Sequence, residues 1–240
     1  MSLADGYINP GKGMGALGKG VLPRETTIKA VISFIVKCLP LWASDPKRPQ
    51  DTSENKLNPS LCDFLDVKAR INFPLIRFHH EQPQKGRRQV DLSIKASEEL
   101  GIKVSGCEYS IYEPFFVIEG KRLPAPAKTR EREYVTGEED KITGGIQRFK
   151  TGDHGSTFDT AAVIGYVQKN NFEYWLNTIN EWIANLSKNS TRKGISWGND
   201  DMLESVSSEK KVSMMVSVNK RSPNNCNKPI TLYHLWVDLK

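Results

Sequence analysis

The sequence predicts an α/β (α+β) protein, with a mixed central β-sheet flanked by helices and a β-hairpin at its C-terminal end. Three observations predict it. Apolar residues recur at helical spacing in stretches 26–42, 54–65 and 172–186. Between the second and third of these, "QVDLSIKA" and "EYSIYEPFFVIEGKRL" alternate or run apolar over lengths that suit strands. Two β-rich runs, "KVSMMVSVNK" and "ITLYHLWVDL", then flank the turn-forming "RSPNNCNKP". A chain of 240 residues with 38% hydrophobic content fits one packed core. Residues 25–240 are therefore read as a single domain, and the glycine- and lysine-rich segment 1–24 as a flexible lead.

The elements follow in order. Ile28, Val31, Ile32, Ile35 and Leu39 place a helix over Thr26 to Trp42. "ASDPKRPQDTS" breaks it. Ser53 is placed to cap a second helix, with Glu54 in the first turn and Leu57, Leu61, Phe64 and Leu65 on one side. Pro59 is tolerable near that start. "INFPLIRFHHE" reads as a strand and "QPQKGRR" as a turn. In "QVDLSIKA", Val90, Leu92 and Ile94 point one way, and Asp91, Ser93 and Lys95 the other. "SEELGI" is a loop, and "EYSIYEPFFVIEGKRL" is the strongest strand region. "PAPAKTREREYVTGEEDK" reads as an exposed excursion, and "ITGGIQRFKTG" as a short helix. Ser156, Thr157 or Asp159 would cap a helix over "AAVIGYVQ". Phe172, Trp175, Leu176, Ile179, Trp182, Ile183 and Leu186 make the best amphipathic helix, and its aromatics are read as core.

Several function classes lack support. The four cysteines are far apart with no CxxC pair, so a zinc ribbon or an iron–sulfur site has no basis, and reduced thiols in a cytoplasmic setting are expected. No apolar run reaches the roughly 20 residues of a membrane span, since Lys29, Lys37 and Pro40 interrupt the longest, so no membrane partner is expected. "NPGKGMGALGKG" lacks the GKS or GKT of a phosphate loop. His79 and His80 are adjacent on a strand and point to opposite faces, which does not suit one metal. His154, between glycines in "GDHG", is read as a loop residue that could enter a site as an accessory base or substrate contact. No nucleophile elbow is present. A net charge of +6 and a pI of about 9.0 lean toward a polyanionic partner.

The chemistry concentrates in "FFVIEGKRL". Residues two apart on a strand share a face, so Glu119 and Lys121 project together from a run apolar enough to be central. Asp91 lies on the preceding strand signal. If those strands pair, Asp91 and Glu119 converge near one edge of the sheet and repel unless a cation lies between them. Magnesium suits such a place, because it takes oxygen ligands, keeps waters and accepts phosphate oxygens. Lys121 would orient a water or stabilise developing charge. Gln147 and Lys150, three apart, share a helical face and either hold a water or phosphate or mark a solvated helix start. Arg148 could reach a phosphate. Lys85, Arg87 and Arg88 in "QKGRRQ" either grip backbone phosphates or solubilise a turn.

The pattern "VD…EGK" on successive strands resembles the restriction-endonuclease-like superfamily, the PD-(D/E)XK nucleases. The resemblance covers roughly Glu54 to Gln168. It includes an acidic helix before the first strand, here with Glu54, and a helix after the E-x-K strand, here with Gln147 and Lys150. No proline precedes the aspartate of "QVD". Glu25 rivals Glu54 as the helix acid, and Glu54 is preferred because it immediately precedes the strand pair. The resemblance implies a restriction-endonuclease-like core and a Mg2+-dependent endonuclease, with Mn2+ able to substitute. Its substrate would be nucleic acid, double-stranded DNA first, in restriction, other defence or repair, and a homodimer would allow both strands to be cut. Asp91, Glu119, Lys121 and Gln147 would be catalytic. Glu54, Asp91 and Glu119 would hold metal, and Lys85, Arg87, Arg88, Arg148 and Lys150 would contact nucleic acid. The alternative is a non-catalytic nucleic-acid-binding or protein-interaction module on the same fold.

Overall fold

The computed structural model describes residues 24–84, 88–137, 141–189, 195–222 and 228–240. A two-residue strand, β1 (Glu25–Thr26), leads into helix α1 (Ile28–Ala43), where Thr27 Oγ1 accepts from the Ala30 amide at 3.2 Å. Helix α2 (Glu54–Asn72) is longer than the sequence suggested. It runs through Ile71 and Asn72, which were expected in a strand, and stops at Phe73 because the residue before Pro74 disfavours helical geometry. Strands β2 (Ile76–Pro83), β3 (Gln89–Ala96), β4 (Ile102–Val104), β5 (Cys107–Tyr109) and β6 (Pro114–Leu123) follow. The rest is helix α3 (Gly145–Thr151), strand β7 (Thr160–Val167), helix α4 (Phe172–Asn189) and strands β8 (Glu204–Ser208), β9 (Val212–Asn219) and β10 (Ile230–Asp238).

The main sheet has the order β2-β3-β6-β7-β10-β9-β8. The β6–β7 and β7–β10 pairs are parallel and the other pairs antiparallel. A small second sheet, β1-β4-β5, is built partly from the stretch read as a loop; its strands are two or three residues long, too short to show a period.

Each face of the main sheet carries its own core. On one face α1 and α2 bury Val31, Ile35, Leu57, Leu61 and Leu65 against Leu92, Ile94, Phe116, Ile118, Ile164 and Tyr166. On the other, α3 and α4 bury Ile146, Phe149, Trp175, Ile179 and Ile183 against Val117, Val163 and Trp236. Each fully buried aliphatic or aromatic side chain stabilises the fold by about 1.5–3 kcal/mol relative to exposure.

The expected helix over "AAVIGYVQ" is instead the central parallel strand β7, with Ala161 to Val167 all buried. A strand covered on both faces reads as a continuous apolar run, which periodicity cannot separate from a buried helix. The charged excursion is anchored too. Tyr134 and Val135 are buried, and the Tyr134 hydroxyl lies 2.8 Å from His234 Nδ1 and accepts from Trp236 Nε1 at 2.9 Å. The expected hairpin is β9–β10, but β10 also pairs with β7 and so lies inside the sheet. Among the described residues no helix is long and apolar enough to cross a membrane.

Candidate active site

Glu119 and Lys121 stand near the end of β6, only 1% and 5% exposed. Buried charges survive only when paired, and these two pair with each other. Lys121 Nζ lies 2.9 Å from Glu119 Oε1, and Arg148 Nη1 donates to the same oxygen at 2.8 Å. The other oxygen, Oε2, lies 3.1 Å from His154 Nδ1. Lys121 Nζ also reaches Glu54 Oε2 at 3.4 Å, while Glu54 Oε1 accepts from the Arg122 amide at 3.0 Å.

Asp91 joins from β3. The regular β3–β6 pairing reaches Leu92 opposite Ile118. One residue further, Asp91 Oδ2 accepts from the Gly120 amide at 2.7 Å, so a carboxylate stands where a ladder carbonyl would otherwise be. Helix α2 comes close enough to supply Glu54 because Gly120 has no side chain: a Cβ there would fall 2.2 Å from Asn58 Oδ1. Asn58, one turn on from Glu54, also accepts from the Tyr166 hydroxyl at 2.7 Å. Helix α2, β6 and β7 are thereby tied at the level of the site. Ser53 makes no side-chain cap to α2. Glu25, the rival acid, is exposed in β1 and pairs in register with Lys103 of the small sheet.

Burial shapes the electrostatics. It raises the Asp91 carboxyl, as do Glu119 and Glu54, and Lys121 and the Gly120 amide only partly oppose this, leaving Asp91 pushed up to about 7. Burial would also raise Glu119, but Lys121, His154 and Arg148 outweigh it and hold that carboxyl far below the usual range. Burial would lower Lys121, but Glu119, Glu54 and Asp91 together hold its ammonium well above its ordinary value. Glu119 and Lys121 are thus firmly ionised, and the shortage of positive charge falls on Asp91.

The remaining expected site residues divide. Gln147 is buried, and its Oε1 accepts from the Gly137 and Gly144 amides at 2.9 and 3.4 Å, so it ties Gly137 to the start of α3. Arg148 points at Glu119 rather than outward. Lys150 is fully buried, with its ammonium on the Asp201 carboxylate and 4.8 Å from the Trp197 ring centroid. The expectation that Lys150 contacts nucleic acid is therefore corrected: α3 packs both faces against protein, and Lys150 faces the 195–203 segment. Arg88 pairs with Asp153. Lys85 and Arg87 lie outside the described residues.

His154 enters the site from a loop. Gly152 ends α3 in the left-handed region (φ 71°) and Gly155 follows with φ 60°. The chain turns back, and the His154 amide donates to the Arg148 carbonyl at 3.1 Å. Arg221 fixes the loop by donating to the carbonyls of Gly155, Ser156 and Phe158 at 2.7, 3.1 and 2.6 Å. The two glycines in "GDHG" were the signal that could have found this histidine.

Among the described residues no group of three or more His, Cys, Asp or Glu side chains is arranged to hold a metal by itself. Magnesium does not need one, since it binds through one or two carboxylates with waters and substrate phosphates completing its shell. Asp91 fits that sparse mode, with one carboxylate oxygen on the Gly120 amide and its charge left short of cations, whereas Glu119 would have to share oxygens that already face Lys121, Arg148 and His154. No protein-family model, curated protein or solved structure matches the chain.

Proposed function

We propose that this protein is a divalent-metal-dependent phosphodiesterase acting on nucleic acid, DNA before RNA, with a restriction-endonuclease-like core. One observation carries the reading: a buried Glu119–Lys121 pair at the end of a central strand, met there by Asp91 from the neighbouring strand and Glu54 from α2. The order α2, β2, β3, β6, α3 supports it, with the aspartate on β3 and E-x-K on β6, as the PD-(D/E)XK resemblance implies. Energetics supports it as well. Buried ion pairs contribute little net stability against an apolar replacement, so a cluster of five charged side chains asks for another reason to exist.

Asp91 and Glu119 would hold the metal, which when bound supplies a more acidic water and offsets charge that builds on a phosphate. The chain's own groups do the rest. Lys121, held protonated, donates from Nζ toward the oxygen on which charge develops as water attacks phosphorus and the P–O bond breaks. Glu54 orients Lys121 from behind. Arg148 and His154 fix the plane of the Glu119 carboxylate, and Gln147 holds Gly137 and Gly144 together at the start of α3.

Purified protein incubated with plasmid and short duplexes in magnesium or manganese is expected to cut, to stop in chelator, and to lose cutting in Glu119→Ala by at least about 100-fold, the scale of a removed charge-stabilising group. Absence of cutting under every metal condition would sink the hydrolase. A second reading has one observation in its favour: both Glu119 oxygens already have cationic or imidazole partners. It is a non-catalytic nucleic-acid-binding module, and binding without cutting is its signature.

A further inference from the structure

The strands that lead to Asp91 carry a second cluster of charge on their outer face. In the β2–β3 pairing Arg77 stands opposite Lys95, and His79 opposite Ser93. Ile76, Phe78, Leu92 and Ile94 point the other way, into the core under α1 and α2. Arg77, His79, Ser93 and Lys95 therefore share one face, partly or fully shielded from solvent.

Like charges directly opposite on an antiparallel pair are destabilising, and among the described residues no carboxylate pairs with Arg77 or Lys95. Asp66 acts on His79 from α2, but its carboxylate already accepts from the Phe78 amide at 3.1 Å and from Arg70. One arm of the Arg77 guanidinium is fixed, with Nη2 donating to the Ile111 carbonyl at 2.7 Å. Its Nε, and Nε2 of His79, are buried with no hydrogen-bond partner among the described residues. A buried unsatisfied donor is costly and asks for an acceptor. Burial lowers Lys95 below its ordinary value and Arg77 adds to this; burial, Arg77 and Lys95 lower His79. Each group is thus short of negative charge, and a tetrahedral oxyanion offers several acceptors to donors that share one face.

We propose that Arg77, His79 and Lys95 form a binding site for a backbone phosphate of the nucleic-acid strand, away from the bond that is cut. This rests on the nucleic-acid reading of the preceding subsection. Lys95 is four residues from Asp91 on the same strand, about 13 Å at ~3.3 Å per residue. That span corresponds to roughly four nucleotides at the ~3.4 Å rise of one strand of a duplex. The site would set the register of the strand without reading its sequence.

Lys95→Gln tests it, because among the described residues the Lys95 ammonium holds no partner whose loss would harm folding. Affinity for a short fluorescent duplex is measured in chelator, so that nothing is cut, across a salt series. Lys95→Gln is expected to bind several-fold more weakly, irrespective of base sequence, and to lower the slope of log affinity against log salt by about one. Its melting temperature should equal or exceed that of wild type. Unchanged affinity and slope would overturn the site. So would stabilisation by inorganic phosphate in wild type but not in Lys95→Gln, if duplex binding is the same in both, since the anion held would then be a free one. Arg77→Gln should reproduce the weaker binding and the lower slope, and its binding is scored only on folded protein because it also releases Ile111. The two proposals separate cleanly. Cutting by wild type with unaltered binding in Lys95→Gln removes the phosphate site and leaves the hydrolase. Binding that depends on Lys95, without cutting by wild type, does the reverse. A wild type that neither binds nor cuts duplex removes both.

Discussion

Asp91 has the poorest charge compensation in the site, and its consequence can be measured. Its carboxyl is pushed up to about 7, first by burial and then by Glu119. A raised value means that the folded chain holds this proton more tightly than the unfolded chain does. Between about pH 4 and 7 the folded state carries the extra proton, so the contribution from Asp91 is lost as pH rises through that window. Asparagine keeps an acceptor for the Gly120 amide but cannot ionise. Asp91→Asn is expected to be more stable than wild type at pH 8, by on the order of 4 kcal/mol, with the advantage fading toward pH 4. Urea unfolding at the two pH values checks this, and an equal difference at both would contradict it. Legibility at this scale followed strand logic. The shared face of Glu119 and Lys121 came from a two-residue spacing, and the meeting with Asp91 from the order of strands. Arg148 and His154 were not readable as Glu119 partners, because the contact depends on how α3 and the glycine-flanked loop fold back onto β6. The burial of Lys150 was hidden for the same reason, since its partner Asp201 is far along the chain.

Among the elements, the seating of α2 on β6 decides whether the site exists. Gly120 lets Asn58 approach, and Asn58 in turn anchors the turn that carries Glu54. Gly120→Ala puts a methyl group into that contact and is expected to cost about 1–3 kcal/mol, the usual range for overpacking. Its thermal or urea midpoint should fall with no change in m-value, and Lys121 should lose its Glu54 contact as the helix retreats. An unshifted midpoint would mean that the helix and strand can part freely. Elements with a clear period were legible: β3 has the bounds read from its alternation, and α4 starts with its apolar stripe at Phe172 and runs three residues beyond its end, to Asn189. β7 was not, because a strand covered on both faces has no polar side to reveal its period. β8 escaped for the opposite reason: its five residues are all exposed, and serines and a glutamate make up most of them.

For the whole molecule, the mixed α/β class was readable from the sequence, whereas the sheet order was not. Sequence order suggests an appended hairpin at the end of the chain. The structure instead inserts β10 between β7 and β9, with eight matched pairs on each side. Local patterning cannot show this, because the β7–β10 register joins residues about seventy apart, such as Thr160 and Thr231. Leu232, Leu235 and Trp236 of β10 are fully buried and belong to both cores of the sheet. Backbone amides of β10 should therefore exchange with solvent only through global unfolding, while those of the edge strands β8 and β2 exchange through local fraying. Hydrogen exchange with fragment-level resolution checks the ranking, and fast exchange in β10 would refute it.

That placement also governs how the chain must assemble. The two halves of the ladder meet only through β7 and β10, about seventy residues apart, so that junction cannot be closed by pairing between neighbours in the chain. Until Ile230–Asp238 slots in, β7 presents a bare, apolar, hydrogen-bond-hungry rim. Refolding from denaturant should accordingly be slow for a protein of this size and prone to clumping at high concentration, and dilution or a holdase chaperone should improve the yield.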